Sequence, residues 1–145
     1  MSRASGCAGA ALERGKSGED VAAITNRFGY WFGPQYTRFA GRPEDMPFDQ
    51  HFLLASCAPR AVYVASAAED AWADPDAEFL SAWAAGSVYP ALGQAGLVTD
   101  NRWPEADCIL HQGRVAYHRR PGCHYLSRTD WQRFMAYANK LAGRP

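Results

Sequence analysis

Arg114-Val-Ala-Tyr-His-Arg-Arg120, followed directly by Pro121-Gly-Cys-His124, is the stretch that decides the fold of this chain. Its apolar and aromatic residues predict a β-strand over 114–120. Proline and glycine then predict a tight turn that carries His124. A helix is predicted over 127–141, because Ser127 and Asp130 form a capping-box-like start. The apolar residues expected to share one side of that helix are Trp131, Phe134, Ala138 and Leu141.

An upstream segment has the same layout. Ala61-Val-Tyr-Val-Ala-Ser66 predicts a second strand, and a loop with Glu69 and Asp70 follows it. Asp74-Pro75 predicts the start of the next helix, since aspartate accepts hydrogen bonds from first-turn amides and proline suits the first helical position. The side chains expected on the buried face of this helix are Phe79, Leu80, Trp83 and Ala84.

Strands that alternate with helices indicate an α/β fold. About three strands can be read, and such units imply parallel strands covered by helices on both faces. Two more helices are predicted near 18–25 and over 49–57, the second ended by Pro59, and a loop is predicted over about 93–107. A three-stranded parallel sheet has a bare edge. We therefore expect the C-terminal portion of a larger three-layer domain with a mostly parallel sheet, poorly soluble by itself.

The order of elements also predicts chemistry. Strand, acid, helix, strand, histidine, helix is the order in which an α/β-hydrolase supplies the last two members of its catalytic triad. Asp70 is the predicted acid, because open α/β sheets place catalytic groups beyond the carboxyl ends of their strands. Glu69 is its nearest rival. His124 is the predicted base, whose tautomer and cation the acid would stabilise.

Other polar residues receive different interpretations. His118 lies inside a strand and is predicted to be structural, and Asp74 to be a helix cap. Arg119 and Arg120 are either solvated or close to a carboxylate substrate. A zinc site could be drawn from four residues, but their spacings match no structural zinc pattern, so no metal is expected. Those four residues are Cys108, His111, His118 and Cys123.

A nucleophile is not visible. The chain contains no Gly-x-Ser-x-Gly elbow, which would expose a serine on a strand-to-helix turn. The serines that lack this context are Ser5, Ser17, Ser56, Ser66, Ser81, Ser87 and Ser127.

Composition excludes several classes of protein. Fifteen basic and fifteen acidic residues leave no net charge, so nucleic acid and anionic membranes are not expected as partners. No run approaches the roughly 20 apolar residues of a membrane span, and the first ten residues lack the apolar core of a signal peptide. Oligomeric state and cellular compartment cannot be predicted from these features.

Seven phrases in this order resemble the bacterial branch of the glucuronoyl esterases, also called 4-O-methyl-glucuronoyl methylesterases. They extend over nearly the whole chain. They are Ser5-Gly-Cys-Ala-Gly-Ala-Ala11, Gly18-Glu19, Tyr30-Trp-Phe32, Pro47-Phe-Asp-Gln-His51, Ala58-Pro-Arg60, Glu69-Asp-Ala-Trp-Ala-Asp-Pro75, and Gly122-Cys-His124 through Asp130-Trp131.

The resemblance implies an α/β-hydrolase that cleaves the ester between lignin alcohols and the glucuronic acid of xylan. It implies acyl transfer through a serine ester, with no cofactor. The family's histidine falls on His124 and its acid on Asp70. Trp72 matches a tryptophan that lines the sugar site, and Glu19 matches a glutamate that binds sugar hydroxyls. Family members generally act outside the cytoplasm, so a secreted or periplasmic protein is implied.

Two departures from the family pattern shape the expectation. Some members take their acid from a position just before the first phrase, which is Ala4 here, so Asp70 is the only candidate. The family's serine lies in a Gly-x-Ser-Arg-x-Gly-Lys elbow upstream of Ser5. We therefore expect the nucleophile-bearing half to be absent and this chain to be inactive alone. Two alternatives remain: an esterase acting on acetyl or other simple esters, and a non-catalytic remnant that binds uronic acid.

Overall fold

The computed structural model describes residues 18–100 and 103–144. Ala4, Ser5, Ser17 and the phrase over 5–11 lie outside the described residues. The helices and strands, in chain order, are α1 (Val21–Phe28), α2 (Gln50–Ala55), β1 (Val62–Ala67), α3 (Pro75–Gly86), β2 (Ile109–Leu110), β3 (Val115–Arg120) and α4 (Arg128–Leu141). Short 3-10 turns lie at 29–31, 36–39, 43–45 and 89–92.

The sheet has three strands in the order β1-β3-β2 within the described residues. Strands β1 and β3 are parallel, with Val62 opposite Val115 and Ala67 opposite Arg120, which confirms the two strands predicted. The third strand, β2, pairs antiparallel with β3, so the small sheet of the described residues is mixed. Only four residues separate β2 from β3, and so short a connection can form a hairpin but not a crossover.

Alternating side chains of β1 and β3 build two cores, one on each face of the sheet. Val62, Val64, Val115 and Tyr117 face α3, where they pack with Phe79, Ala82 and Ala85. Tyr63 and Ala116 face α4, where they pack with Tyr137 and Phe134. The sheet is therefore covered on both faces, as expected for the α/β class.

Helix α3 begins as predicted and buries Phe79 as predicted, but the rest of the predicted buried face is only partly covered. The Asp74 carboxylate accepts a hydrogen bond from the amide of Ala77 at 3.1 Å, which confirms the cap. Trp83 is 52% exposed, so its predicted burial is wrong. Its other buried positions are mainly small residues, among them Ala82, Ala85 and Gly86. The neighbouring chain comes very close at Gly86, where an added Cβ would lie 2.7 Å from the backbone nitrogen of Leu97. Such close approach needs small side chains on the inner face, which leaves the indole of Trp83 outside.

Helix α4 has the predicted capping box. The Ser127 hydroxyl accepts from the Asp130 amide at 3.2 Å, and the Asp130 carboxylate accepts from the Ser127 amide at 2.6 Å. The predicted apolar side is only partly covered, because Trp131 and Leu141 are 47% and 42% exposed.

Those exposed residues lie near a groove of about 430 Å³ beside β1. The groove is lined by Leu54, Cys57, Ala61, Val62, Tyr63, Val64, Phe134, Tyr137, Ala138 and Leu141. Strand β1 is the outer strand on this side, and no strand of the described ranges pairs with its far edge. The bare edge expected from the sequence is therefore present, and it is bordered by apolar side chains.

Two predicted helices have shifted ends. Helix α1 begins at Val21, three residues after the predicted start, because the Asp20 carboxylate caps it by accepting from the Ala23 amide. Helix α2 stops at Ala55, before Pro59. The amides of Cys57 and Ala58 donate to carbonyls only three residues back, so the chain tightens into a turn there. No helix of the described ranges is long and apolar enough to cross a membrane.

A chain of buried polar groups joins β1, β3 and α4. The Tyr63 hydroxyl lies 2.7 Å from Nδ1 of His118 and 3.0 Å from Nε2 of His111. Nε2 of His118 lies 2.8 Å from Oδ1 of Asp130. His118 is completely buried, so its prediction as a structural residue is confirmed.

Burial sets the protonation of this chain of groups. It lowers the pKa of His118 from 6.5 to about 4, although the Asp130 carboxylate opposes the shift. The neutral ring then donates from Nε2 to Asp130 and accepts at Nδ1 from Tyr63. Burial alone would raise the pKa of Asp130, but hydrogen bonds from Ser127, His118 and Arg120 outweigh it, and this pKa lies below its usual range. Asp130 therefore carries a charge next to a neutral histidine.

The lowered pKa of His118 predicts acid sensitivity. Between pH 6.5 and about 4 the unfolded chain takes up a proton at His118 that the folded chain does not. Stability must therefore fall as the pH falls through that window, by at most about 3 kcal/mol. Urea unfolding at a series of pH values should show this loss for the wild type and a flatter profile for His118→Gln. His51→Gln, outside the network, should keep the wild-type slope. Parallel profiles for wild type and His118→Gln would contradict the assignment.

Candidate active site

Asp70 and His124 lie together at one edge of the sheet. Because β1 and β3 are parallel, their carboxyl ends meet at that edge, and each residue follows its strand by three or four positions. Nδ1 of His124 lies 2.5 Å from Oδ2 of Asp70, across 54 residues of sequence. The Asp70 side chain is 6% exposed and the His124 side chain 52%. The acid is thus held inside the protein, while the imidazole reaches solvent.

The loop after β1 holds the Asp70 carboxylate in place. The Asp70 amide donates to the carbonyl of Ala67 at 3.1 Å, and Oδ1 of Asp70 accepts from the amide of Ala73 at 3.3 Å. One carboxylate oxygen is therefore used by the loop and the other by the imidazole. This division keeps the carboxylate pointed at His124.

Glu69, the rival acid, contacts the turn before His124 and not its ring. Its Oε1 accepts from the amide of Gly122 at 3.1 Å, and its own amide donates to the carbonyl of Gly122 at 3.1 Å. Its Oε2 lies 3.6 Å from Sγ of Cys123. Glu69 therefore binds the turn to the β1 loop, and Asp70 is the acid in contact with the imidazole.

The contact fixes how the His124 imidazole can react. A carboxylate accepts the Nδ1 proton, which leaves the lone pair of a neutral ring on Nε2. Within residues 18–100 and 103–144, no hydrogen bond is made by Nε2. A half-exposed nitrogen with a free lone pair and a stabilised cation is the arrangement that a general base requires.

Trp72 lies in the same loop as Asp70, and the backbone of Glu19 is hydrogen-bonded to it. Trp72 is 49% exposed and follows Asp70 by two residues. Glu19 is 4% exposed, and its amide donates to the carbonyl of Trp72 at 2.9 Å. Gly18 permits this contact, because a Cβ there would lie 3.0 Å from Cβ of Asp74. The two predicted sugar-binding residues thus adjoin in space, one as an open aromatic surface and the other as a buried acid.

The serines of the described ranges do not reach the imidazole. The hydroxyls of Ser56 and Ser87 donate to the carbonyls of Leu53 and Ala84. Ser127 belongs to the α4 cap, and Ser66 and Ser81 are buried. No hydrogen bond joins any of these five to His124.

The two arginines after His118 are paired with acids, so the solvated alternative is wrong, and the alternative that one lies close to a carboxylate substrate stays a prediction. Nη1 of Arg119 binds Asp76 at 2.8 Å, and Arg120 is buried against Asp130. Arg120 also binds the turn that carries His124, which was not predicted. The alternation of side chains along β3 puts position 120 on the face of α4, and this pattern could have predicted that Arg120 is buried there. Among the described residues, no group of histidines, cysteines and acids could hold a metal ion.

Comparison with known proteins identifies the family. A sequence model described as glucuronyl esterase, fungi, matches residues 1–93, which include Glu19, Asp70 and Trp72. The chain belongs to the glucuronyl esterase family. This confirms the resemblance read from the seven phrases.

Similar proteins come from bacteria and from environmental samples. Carbohydrate esterase MZ0003, from an unknown prokaryotic organism, is 42% identical over 139 residues, which are 96% of this chain and 32% of that protein. A promiscuous CE15 esterase from the marine bacterial metagenome superimposes with a TM-score of 0.87 at 42% identity, over 92% of this chain and 33% of that one. A CE15 glucuronoyl esterase from Teredinibacter turnerae superimposes with a TM-score of 0.86 at 32% identity. The superposition covers 97% of this chain and 34% of that one.

The superpositions also cover the β3 region beyond residue 93, and they confirm the α/β-hydrolase fold expected for a glucuronyl esterase. The chain spans about a third of the length of the relatives that it matches.

The Asp70 contact predicts the tautomer of His124. In a neutral imidazole bound to Asp70 the proton should lie on Nδ1, and nitrogen-15 chemical shifts of the labelled chain at alkaline pH should show this. Asp70→Asn should shift the ring toward the Nε2–H tautomer, because the acceptor carboxylate is gone. Glu69→Gln should leave the tautomer unchanged. If Glu69→Gln changed it and Asp70→Asn did not, the two acids would exchange roles.

Proposed function

We propose that this chain supplies the acid and the base of a carboxylic ester hydrolase that acts on esters of glucuronic acid. The observation that carries the proposal is the 2.5 Å contact between a buried Asp70 and a half-exposed His124 at the carboxyl edge of a parallel sheet. Membership of the glucuronyl esterase family supports the substrate class. The serine would come from an N-terminal part of the domain that lies outside this chain.

The geometry suits both halves of an acyl transfer. Nε2 of His124 takes the serine proton as the hydroxyl oxygen attacks the ester carbonyl, and Asp70 stabilises the imidazolium that forms. The imidazolium then gives its proton to the leaving alcohol, and an acyl-enzyme remains. Water repeats the sequence and releases the uronic acid. Each step uses only protein groups and water, so the proposed mechanism needs no cofactor.

Trp72 and Glu19 are proposed to bind the sugar. An exposed indole two residues from Asp70 in the same loop offers a flat apolar surface to the face of a pyranose ring. A buried glutamate beside it offers acceptor oxygens for sugar hydroxyls. The polymer that carries such esters, glucuronoxylan, is extracellular, and this supports a secreted or periplasmic site of action.

One observation favours a broader substrate range. The 42%-identical relative with a solved structure is described as promiscuous. An esterase of the same fold acting on acetyl or other simple esters is therefore the second candidate. It needs the same Asp70 and His124, but it does not need Trp72.

A chimaera tests the catalytic proposal. The present residues would replace the corresponding third of the marine metagenome esterase, whose upstream part would supply the rest of the domain. We expect hydrolysis of a glucuronate methyl ester. His124→Ala should lower kcat by about a thousandfold or more, and Asp70→Asn by a similar order. Glu69→Gln is the matched control at the neighbouring acid. A folded chimaera whose activity did not depend on His124 would refute the proposal.

Substrate class is tested on the same chimaera. Trp72→Ala should raise KM for the glucuronate ester roughly three- to tenfold, since an aromatic contact contributes about 0.5–1.5 kcal/mol. It should leave the acetyl ester unaffected. Trp83→Ala, an exposed tryptophan on α3, is the control. An unchanged KM for both esters in Trp72→Ala would favour the simple-ester candidate, which does not need Trp72. Binding of glucuronic acid by the unmodified chain, with an inactive chimaera, would favour a uronate-binding remnant.

A further inference from the structure

The turn that carries His124 has little structure of its own. Residues 121–126 lie between β3 and α4, outside any helix or strand. Their side chains are mostly exposed, and His124 itself is half exposed. A Pro-Gly turn on a surface is ordinarily mobile. A general base, however, must be held in hydrogen-bonding reach of its partners, so some other group must restrain this turn.

The guanidinium of Arg120 binds the backbone on both sides of His124. Nη1 donates to the carbonyl of Pro121 at 2.8 Å, and Nη2 donates to the carbonyl of Cys123 at 3.1 Å. Nη2 also donates to the carbonyl of Tyr125. The residues before and after His124 are thus bound by one rigid fork.

The fork is itself anchored inside the protein. Nε of Arg120 donates to both carboxylate oxygens of Asp130, at 3.0 Å each. Arg120 is 3% exposed and Asp130 also 3%. Asp130 is fixed by the α4 cap and by His118, so the guanidinium is tied to both β3 and α4. A buried ion pair of this kind is held rigidly, because moving either charge would leave the other unpaired.

The turn packs closely on this fork. The ring of Tyr125 lies 4.3 Å from Cζ of Arg120, in a cation–π contact. Gly122 has a φ of +92°, and a Cβ there would lie 3.3 Å from Nη1 of Arg120. Glycine therefore permits both the backbone conformation and the close approach of the turn to the guanidinium.

We propose that Arg120 is a positioning residue for His124: anchored on Asp130, its guanidinium holds the carbonyls on both sides of the histidine and so keeps the imidazole against Asp70. Lysine cannot replace it, since one ammonium has neither the planar fork nor enough donors in the right directions. This positioning role rests on the proposed function in one respect: the proposed function is the reason why the position of the His124 imidazole matters.

The Nδ1 proton of His124 reports the position directly. A short hydrogen bond to a carboxylate gives this proton a strongly deshielded resonance that exchanges slowly with water. In the nitrogen-15-labelled chain we expect this resonance for the wild type and its loss for Arg120→Lys. Arg119→Lys is the matched control, because Arg119 is the neighbouring residue on the opposite face and binds Asp76. It should keep the resonance.

A merely structural role for Arg120 predicts a different result. It would lower the unfolding midpoint of Arg120→Lys but leave the Nδ1 resonance of the folded molecules in place, and that outcome would overturn the proposal. Because Arg120→Lys could fail to fold, a double variant, Arg120→Gln with Asp130→Asn, removes the fork without leaving a buried charge unpaired. It too should lose the resonance, and persistence at the wild-type position would overturn the proposal.

The wild-type chain decides the matter if neither variant folds. A guanidinium held by these five hydrogen bonds should give separate, slowly exchanging Nη resonances for Arg120. A single averaged Nη signal, as expected for an arginine whose guanidinium rotates freely in solvent, would overturn the proposal. None of these measurements needs ester turnover. An inactive chimaera combined with loss of the resonance in Arg120→Lys would therefore refute the proposed function and leave the positioning role standing.

Discussion

The parallel register between β1 and β3 is the constraint on which the candidate site depends. Ala67 lies opposite Arg120, and this pairing sets Asp70 opposite the turn of His124. A shift of one residue would move the β1 loop by about 3.3 Å and turn every β1 side chain to the other face. The 2.5 Å contact between the two residues would then be lost. The register is fixed by burial, because Val62 and Val64 belong to the α3 core while Tyr63 belongs to the α4 core.

Asp130 also helps to fix the position of the His124 turn, at the same end of the sheet. Its carboxylate caps α4, accepts from the neutral His118 and pairs with Arg120. These contacts keep its pKa low in spite of burial, so the charge that holds Arg120 persists at neutral pH. A single buried anion therefore connects the helix start, the strand end and the turn between them. His124 lies on an exposed turn, but Arg120 and Asp130, which restrain the turn, are buried.

Much of this arrangement could be predicted from the sequence, because it follows from local patterns. The two long strands, the cap at Asp74, the capping box at Ser127 and the order of Asp70 and His124 are all encoded in short segments. Contacts between distant segments were not predictable in the same way. Trp83 lies outside because α3 packs through its small residues, and this depends on the neighbouring chain at Leu97. The role of Arg120 depends on backbone carbonyls, whose positions no side-chain pattern reveals.

The free edge of β1 bears on where a nucleophile could enter. Antiparallel β2 closes the sheet on the β3 side, and β1 is the outer strand on the other side of the described sheet. The apolar groove along β1 is a surface that further structure would cover, since parallel sheets are normally buried on both faces. A strand added in parallel to β1 would end at the same edge as Asp70 and His124. A serine on the turn after such a strand would approach the edge where Nε2 of His124 makes no hydrogen bond to the described part of the chain. The side of the sheet left open is thus the side from which the proposed triad can be completed.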